Sequence, residues 1–235
     1  MTFVNYDVAW TQWGDMIKYS PAPFHRRRLI LEMTRVLPYR SALDVGCGNG
    51  AMLRALAQQN KAERLVGVDI SAHVVEVNRQ NLPFEFETLD VAASALAEKF
   101  DLVVCSEVVE HVANYQDALA HLHAMCSGWL ILTVPSGKIY PIDRAMGHAQ
   151  HFVAANLEQT LTRHGFIVEQ LWQWGFPFHT FYKYVINLSP EASMNRFSRG
   201  TYTNNDKLFA RVLTQLFYLN LKRWGTQLVI CARAK

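Results

Sequence analysis

Short apolar runs alternate with amphipathic stretches over most of the chain. Residues 101–106 and 128–134 are nearly continuous apolar runs, a pattern typical of parallel strands that are buried on both faces. The same alternation predicts five further strands and the helices between them: strands at 41–45, 64–70, 84–90, 166–174 and 227–232, and helices at 51–57, 71–81, 112–127 and 152–164. Strands that alternate with helices predict an α/β fold with a doubly wound, seven-stranded, mostly parallel sheet.

Two segments lie outside this alternation. Residues 1–40 precede the first strand and are predicted to form an N-terminal helical cap over the pocket. Residues 175–225 separate the last two strands by much more than a usual connection. Apolar residues recur in that segment at helical spacing, which predicts an amphipathic helix: Leu208, Phe209, Val212, Leu213, Leu216 and Phe217. The chain is therefore predicted to be a single domain with a core at 41–175, an insert at 176–224 before the last strand, and that strand at 225–235.

Composition restricts the class of protein. The 235 residues, half of them hydrophobic, suit one domain with a sizeable core. The N-terminus does not resemble a signal peptide, and no window approaches the ~18 apolar residues that a transmembrane helix needs. The cysteines form no C-x-x-C pair, so neither a zinc site nor a disulfide framework is indicated: Cys47, Cys105, Cys126 and Cys231. We expect a cytoplasmic location and no resident metal.

Charge is distributed unevenly along the chain. Residues 190–235 carry eight Lys and Arg against two acidic residues, whereas residues 1–189 carry fifteen against eighteen. A basic segment that is rich in aromatic residues could face an anionic substrate, a membrane surface or RNA. A solvated helix face explains the same pattern equally well. Peripheral membrane contact is therefore left open, and a nucleic-acid partner is disfavoured.

Three glycines follow the first predicted strand. Residues 43–50 read Leu-Asp-Val-Gly-Cys-Gly-Asn-Gly, and a helix-forming run begins at once afterwards. Gly46, Gly48 and Gly50 let the backbone turn sharply and let a ligand lie against bare peptide groups. Their spacing is G-x-G-x-G, which differs from the G-x-G-x-x-G of dinucleotide sites. Asp44, just ahead of them, would repel a pyrophosphate but suits a ligand that carries an ammonium group.

A second carboxylate, Asp69, ends the second strand about twenty residues later. A carboxylate at this place can accept hydrogen bonds from both hydroxyls of a ribose, which predicts a nucleoside cofactor. The alternative role, an N-cap for the following helix, is partly filled by Ser71.

The glycine octet, Asp69 and the segment Val104-Cys-Ser-Glu-Val-Val-Glu-His-Val112 together resemble class I S-adenosylmethionine-dependent methyltransferases. At this spacing the segment is similar to ubiquinone-biosynthesis O-methyltransferases and their small-molecule relatives. The resemblance implies a Rossmann-like methyltransferase fold and S-adenosylmethionine as cofactor. It also implies a set of cofactor contacts: Tyr19, Arg26, Asp44, Gly46, Cys47, Gly48, Asp69, Ile70, Asp90, Val91, Ser106 and Glu107.

Within that set the resemblance assigns particular roles. Asp90 would meet the adenine amino group and the neighbouring backbone N–H of Val91 a ring nitrogen, although a simple turn aspartate is the alternative. Arg26 would grip the cofactor carboxylate, and Tyr19 would help to close the pocket. An ordinary basic helix start is the alternative for Arg26, which adjoins two further arginines.

Glu107, Glu110 and His111 are spaced i, i+3 and i+4, which predicts one face of the first turn of a helix. Three interpretations stay open. His111 could act as a general base. The three residues could bind a divalent ion, as the resemblance implies. They could also be structural, since acidic groups favour a helix N-terminus.

The loop Gly147-His-Ala-Gln-His-Phe152 follows the fifth strand and borders the acceptor site in similar proteins. His148 and His151 are therefore candidate bases alongside His111, and Tyr140 is a weaker candidate. Aromatic residues after the sixth strand are dense enough to line an apolar pocket: Trp172, Trp174, Phe176, Phe178, Phe181, Tyr182 and Tyr184.

These observations predict transfer of a methyl group from S-adenosylmethionine to a hydroxyl of a small-molecule metabolite. Carbon or nitrogen methylation of a small metabolite and sugar or glycolipid O-methylation are alternatives, whereas the missing Pro-Pro motif after the fourth strand disfavours exocyclic base nitrogens. A dinucleotide-dependent oxidoreductase is disfavoured by the glycine spacing. A non-catalytic cofactor-binding protein and an RNA methyltransferase also stay open as interpretations of the sequence.

Overall fold

A computed structural model describes residues 14–197 and 200–235. Within these ranges seven strands form one sheet in the order β3-β2-β1-β4-β5-β7-β6. The strands are β1 Ser41–Val45, β2 Arg64–Asp69, β3 Glu85–Thr88, β4 Phe100–Ser106, β5 Cys126–Pro135, β6 Phe166–Trp174 and β7 Gln227–Ala234. β7 runs antiparallel to both of its neighbours, and the other paired strands are parallel. The predicted seven-stranded, mostly parallel sheet is confirmed.

Helices cover both faces of this sheet. They are α1 Gly14–Tyr19, α2 Pro21–Thr34, α3 Ala51–Ala57, α4 Ala72–Asn81, α5 Tyr115–Ala124, α6 Pro141–Ala145, α7 Ala154–Arg163, α8 Phe178–Ile186, α9 Pro190–Phe197 and α10 Asn204–Phe217, with a short 3₁₀ turn at Val109–His111. α1 and α2 fall in the predicted helical cap, and the part of that prediction at residues 1–13 lies outside the described residues. The core has one apolar cluster on each face of the sheet, because successive residues of a strand point to opposite sides.

The helix predicted at 112–127 is shorter at both ends. It begins at Tyr115, after the 3₁₀ turn, and ends at Ala124. Cys126, which the prediction placed in this helix, instead begins β5 and pairs with Phe100 on β4. Strand pairing with a neighbour that is distant in sequence therefore overrode the local helical pattern.

The described part of the insert forms three helices, α8 to α10, where the sequence predicted one. The predicted amphipathic helix is present as α10, and its N-terminus is fixed by a capping box between Thr203 and Asp206. Phe217 is fully buried against His25 and Trp174, but Leu208, Phe209 and Val212 are exposed. The apolar side chains in the first half of α10 therefore face solvent, whereas Phe217 at its end packs inward. Within residues 14–197 and 200–235, no helix is long and apolar enough to cross a bilayer.

Candidate active site

The glycine turn joins β1 to α3 at the carboxyl edge of the sheet. The backbone N–H groups of Gly46 and Cys47 donate to the carbonyl oxygen of Val68 on β2, at 2.8 and 3.0 Å. Gly46 has φ +72°, and a Cβ atom there would lie 2.3 Å from Cγ2 of Val108. The position therefore requires glycine for both its backbone conformation and its closeness to the loop after β4. The Cys47 side chain is buried in the core, so a ligand at this turn would meet backbone groups and not the thiol.

We expect Gly46→Ala to lower the free energy of unfolding by about 1–3 kcal/mol more than Gly137→Ala does. Gly137 is a matched control, since its φ is +82° but its added Cβ would meet no atom within 4 Å. Both variants place a side chain at positive φ, and only Gly46→Ala also overlaps Val108. Urea unfolding measures the difference, and equal losses in the two variants would contradict the close approach.

Asp44 is a buried carboxyl group beside this turn. It is 3% exposed, and its Oδ2 atom has no hydrogen-bond partner among the described residues. Burial, together with the nearby charge of Asp69, raises the pKa of Asp44 to about 8. A buried carboxylate without a partner is costly, and a bound cation would offset that cost. These properties suit the predicted contact with an ammonium group, which stays a prediction.

Asp69 lies at the end of β2, and backbone groups hold both of its oxygens. Oδ2 accepts from the N–H of Gly48 at 2.9 Å, and Oδ1 accepts from the N–H of Ser71 at 3.0 Å. Ser71 is itself the N-cap of α4, since its Oγ accepts from the N–H of Val74. The carboxylate is thus fixed against the glycine turn, and its predicted role as ribose acceptor stays a prediction. Ile70, next along the chain, is half exposed.

Asp90 and Val91 follow β3. Asp90 is exposed and its Oδ1 accepts from the N–H of Ala92 at 2.9 Å, which is the turn geometry of the alternative interpretation. The Val91 side chain is buried in the core, so only its backbone could face a ligand. This geometry is compatible with both the adenine contact and the turn.

Glu107 follows β4 with a left-handed backbone, at φ +59°. Its Oε1 accepts from Oγ1 of Thr133 at 3.0 Å and from Nε2 of Gln227 at 2.7 Å, and its Oε2 lies 3.6 Å from Arg26. Burial acts against ionisation, but the charge of Arg26 and the hydrogen bonds from Gln227 and Thr133 hold the pKa of Glu107 below its ordinary value. Arg26 therefore pairs with an ionised carboxylate here, and its grip on the cofactor carboxylate stays a prediction.

Glu110 and His111 do not share a helical face with Glu107, although their spacing predicts one. Glu107 precedes the 3₁₀ turn that holds Glu110 and His111, so the three do not share the first turn of an α-helix. Neither oxygen of Glu110 has a hydrogen-bond partner in the part of the chain that the structure describes. Burial and the charge of Glu107 raise the pKa of Glu110 well above its usual range, which favours the neutral form of the group. Ser106, at the end of β4, hydrogen-bonds through Oγ to Oγ1 of Thr133 at 2.8 Å.

The three predicted histidines come together in one cluster. His148 Nδ1 lies 3.0 Å from His151 Nε2, and the rings of His111 and His148 are 4.9 Å apart in an edge-on contact. Burial and the neighbouring His111 lower the pKa of His148 to about 4, and burial also lowers the pKa values of His111 and His151. All three imidazoles are therefore neutral near pH 7, which is the state in which a base accepts a proton.

Two residues of this cluster were missed from the sequence. Asp143 Oδ2 lies 3.7 Å from His151 Nε2 and 3.2 Å from Nζ of Lys183, which arrives from α8. Asp143 also accepts from the N–H of Tyr140 at 2.8 Å. A single lysine inside the aromatic run of α8 was the available signal for Lys183. Asp143 carried no sequence signal beyond its place near Tyr140.

Two sets of side chains in this cluster have donor atoms close enough to hold a metal ion. They are Glu110, His111 and His148, and Asp143, His148 and His151, each with its donor atoms within 4.8 Å of one another. The set implied by the family resemblance included Glu107, which Arg26, Thr133 and Gln227 hold instead. In the second set, the ammonium group of Lys183 already neutralises Asp143.

An apolar cavity of about 490 Å³ opens next to the cluster. Its walls are aromatic for the most part: Tyr140, Phe176, Pro177, Phe178, Thr180, Phe181 and Tyr184. Lys183 links the cavity to the histidine cluster, because its Nζ lies 5.8 Å from the Tyr140 ring centroid and 3.2 Å from Asp143. Four of the seven aromatic residues named from the sequence line this cavity, namely Phe176, Phe178, Phe181 and Tyr184. Trp174 and Tyr182 instead pack against Phe217, and Trp172 lies under Lys222.

Tyr19 lies in a different environment from the other predicted cofactor residues. Its ring stacks on Tyr202, and it lines a cavity of about 150 Å³ between α1, α2 and α10. No other residue of the predicted cofactor set, all of which the structure describes, lines that cavity. The described contacts therefore do not bring Tyr19 to the strand ends.

Buried histidines should also make the stability of the chain sensitive to acid. Burial lowers the pKa of His25 to about 4 and that of His179 to about 3, from 6.5. The unfolded chain takes up these protons at higher pH, so the free energy of unfolding falls as pH drops from 6.5 towards 4. We expect His25→Phe, which keeps a ring against Trp174, to give a shallower fall in urea unfolding across this range. The exposed His73 provides a control, and an equal slope in His25→Phe and His73→Phe would contradict the account.

Comparison with known proteins identifies the family to which the chain belongs. The family described as "Methyltransferase domain" matches residues 22–171, and the chain belongs to it. The chain is a class I S-adenosylmethionine-dependent methyltransferase domain, and its cofactor is S-adenosylmethionine. Among curated proteins it is similar to the ubiquinone biosynthesis O-methyltransferase of Coxiella burnetii (strain RSA 493 / Nine Mile phase I), at 28% identity over 142 residues and 57% of each chain. The corresponding protein of Histophilus somni (strain 2336) is 30% identical over 116 residues, 45% of this chain and 48% of that one. The chain thus spans about half the length of these relatives.

Solved structures share the fold. A putative methyltransferase in complex with the Haloferax volcanii Trm112 methyltransferase activator gives a TM-score of 0.65 at 16% identity, over 98% of this chain and 96% of that one. A putative methyltransferase from Bacillus halodurans C-125 gives 0.60 at 17% identity, over 88% and 97%. Magnesium protoporphyrin IX methyltransferase from Synechocystis PCC 6803, solved with bound SAH, gives 0.55 at 18% identity, over 92% and 86%. Identities this low support the fold alone.

Proposed function

We propose that the chain transfers a methyl group from S-adenosylmethionine to a hydroxyl group of a small-molecule acceptor. The observation that carries this proposal is the cluster of neutral histidines between the carboxyl edge of the sheet and an apolar cavity. A hydroxyl acceptor must lose a proton during transfer, and a neutral imidazole within reach can take it. The curated relatives, named as ubiquinone biosynthesis O-methyltransferases, support an oxygen acceptor.

His148 is the base in this proposal. The His151 side chain is 2% exposed, which leaves it unable to touch an acceptor, whereas His148 is only partly buried. His151 and Asp143 are positioning residues: the 3.0 Å contact between the two imidazoles fixes the orientation of His148, and Asp143 with Lys183 fixes His151. His111 packs edge-on against the His148 ring and supports it.

The cofactor would lie along the carboxyl edge of the sheet. Asp44 would receive the ammonium group, Asp69 the ribose hydroxyls, and the bare turn at Gly46 and Gly48 would let the cofactor approach the backbone. Arg26, held by Glu107, would face the carboxylate. Ile70, Asp90 and Val91 would border the adenine, and Cys47, Ser106 and Glu107 would complete the wall.

The mechanism is an in-line displacement at the methyl carbon. When bound, S-adenosylmethionine supplies a methyl group on a positively charged sulfur. Transfer would form a C–O bond to the acceptor oxygen as the C–S bond breaks with its electron pair on sulfur, and His148 would take the hydroxyl proton. The protein mainly has to hold oxygen, carbon and sulfur in line, and such positioning supplies several kcal/mol. The aromatic cavity would hold the acceptor and exclude water.

Methyl-labelled S-adenosylmethionine tests the proposal directly. The purified chain would be incubated with the label and an extract of its source cells, and the products separated into organic-soluble, aqueous small-molecule and macromolecular fractions. We expect the label in a small-molecule fraction, as a methyl group bonded to oxygen. The labelled product should keep its label after the enzyme is removed. Label only in macromolecules, or methyl groups on carbon or nitrogen, would contradict the hydroxyl proposal.

A further inference from the structure

Helix α8 is amphipathic, but its apolar face points away from the protein. Three exposed residues lie on this face, Phe181, Tyr184 and Val185, and exposed Leu188 follows in the turn just after the helix; Phe181 and Leu188 are each 66% exposed. A surface helix of a globular protein normally buries such a stripe. The inner face of α8 buries His179 and Lys183, with Phe178 and Tyr182 packed partly against the core. Its orientation is fixed from inside by the contact of Lys183 with Asp143 and by the packing of His179 on Trp174.

A second exposed segment lies beside α8. Phe176 donates its N–H to the carbonyl of Trp224 at 2.9 Å and accepts from the N–H of Leu221 at 2.7 Å, so the three residues are neighbours. All three are exposed, and Trp224 is 62% exposed. Phe176 also lines the aromatic cavity together with Phe181 and Tyr184. We call these three residues, together with Phe181, Tyr184 and Val185 of α8 and the following Leu188, the outer apolar face.

Cations without acidic partners flank the outer apolar face. Arg223 is exposed next to Trp224, and Lys138 is exposed with its Nζ 5.5 Å from the ring centroid of Tyr140, a wall of the cavity. Among the residues at 14–197 and 200–235, neither cation has a carboxylate within ion-pair distance. Arg223 and Lys138 therefore place two unpaired positive charges at the edge of the outer apolar face.

We propose that the outer apolar face docks on an anionic lipid bilayer. Aromatic and aliphatic side chains on one face of a helix, next to unpaired Lys and Arg, are the chemistry that binds the interface of an anionic membrane. The alternative occupant, a second copy of the chain, would bring like charges together at the rim, which opposes self-association. An anionic surface instead complements those charges.

Docking of this kind would place the mouth of the aromatic cavity at the lipid surface. Phe176, Phe181 and Tyr184 belong both to the cavity wall and to the outer apolar face. An acceptor dissolved in the bilayer would then reach the cavity without crossing water. This consequence rests on the proposed function, whereas the docking itself does not.

Vesicle co-sedimentation tests the docking with the full chain and without cofactor or acceptor. The probes are vesicles of phosphatidylcholine alone and of phosphatidylcholine mixed with phosphatidylglycerol. We expect the chain to bind the mixed vesicles at least about tenfold more tightly than the neutral ones, and added salt to weaken that binding. The double variant Phe181→Asn/Leu188→Asn should lose at least about tenfold in affinity for the mixed vesicles.

Val36→Asn is the matched control, because Val36 is 81% exposed but lies after α2 and outside the outer apolar face. It should bind mixed vesicles as the wild-type chain does, and thermal unfolding checks that all variants fold. Failure of the wild-type chain to bind mixed vesicles, or wild-type binding by the double variant, would overturn the proposal. A dimer in light scattering that the double variant abolishes would also overturn it, by making the face a self-interface. Because no methyl transfer is measured, failure here leaves the proposed function standing, and failure of methyl transfer leaves the docking standing.

Discussion

We expect the His148→Gln variant to transfer methyl groups about 100-fold to 10,000-fold more slowly than the wild-type chain, the range typical of a lost general base. Glutamine keeps a polar side chain of similar reach but cannot take the proton of the acceptor hydroxyl. Affinity for S-adenosylmethionine should stay within about twofold of wild type, because no cofactor role is assigned to His148. Initial rates of label transfer, at saturating cofactor, measure the first quantity, and calorimetric titration measures the second.

Two further variants separate the base from the residues that position it. His151→Gln and Asp143→Asn should lower turnover less than His148→Gln does, and they should shift the pH profile of turnover, because they change the surroundings of the His148 imidazole. His164→Gln is a control, since His164 hydrogen-bonds to Thr160 on α7, away from the cluster. Full turnover in His148→Gln would remove this histidine from the chemistry.

Chelation distinguishes a base from a metal ligand at the same position. With His148 as base, turnover of the wild-type chain should not change in the presence of a chelator. A chelator that abolishes turnover, with recovery on addition of a divalent ion, would contradict the base role. That result would favour one of the two metal-capable sets in the cluster.

The second large effect concerns Asp44. We expect Asp44→Asn to weaken the binding of S-adenosylmethionine by about 10-fold to 100-fold, the scale of one lost hydrogen bond to a charged group. The same variant should raise the free energy of unfolding of the cofactor-free chain at pH 8 and above. Loss of binding together with a gain of stability distinguishes a carboxylate kept for a ligand from one kept for the fold.

The sign of the stability effect follows from the raised pKa of Asp44, about 8 in the folded chain against 3.8 ordinarily. Between these values the folded chain holds a proton that the unfolded chain has lost, so the contribution of Asp44 to stability falls as pH rises through the window. Asparagine removes this loss. The difference between variant and wild type in urea unfolding should therefore grow up to about pH 8 and then level off. A difference that is independent of pH would contradict the raised pKa.

Cofactor binding should also release a proton from Asp44 near pH 7. The ammonium group favours the ionised carboxylate, so the pKa of Asp44 falls when the cofactor binds. Titrations in two buffers with different heats of ionisation measure this proton. Asp44→Asn should release none.

The sheet was predictable because its strands are unusually clear in the sequence. A continuous apolar run such as 128–134 predicts a strand in a sheet that is covered on both faces. The glycine turn was predictable from the backbone freedom of its glycines and from its place directly after a strand. The carboxyl ends of neighbouring parallel strands then place Asp44 and Asp69 near each other without further information.

The interior of the site was less predictable, for physical reasons. The spacing of Glu107, Glu110 and His111 predicted one helical face, but ion pairing with Arg26 and hydrogen bonds from Thr133 and Gln227 hold Glu107 in a left-handed conformation outside the turn. These partners come from elements far apart in the sequence, and no local pattern contains them.

Helix α8 shows a different limit of sequence patterns. Periodicity reveals that one face of a helix is apolar, but it does not say in which direction that face points. The buried contact between Lys183 and Asp143 orients α8 so that Phe181 and Tyr184 face outward. The same contact joins the histidine cluster to the aromatic cavity. Lys183 was missed because its partner Asp143 is forty residues away in the sequence.

The central claim is that the glycine turn and the carboxylates beside it form a site for S-adenosylmethionine. Calorimetric titration of the purified chain with S-adenosylhomocysteine, and separately with reduced nicotinamide adenine dinucleotide, tests this claim without any knowledge of the acceptor. The account predicts saturable binding of S-adenosylhomocysteine at one site per chain and none of the dinucleotide. Binding of the dinucleotide with no binding of S-adenosylhomocysteine would contradict it.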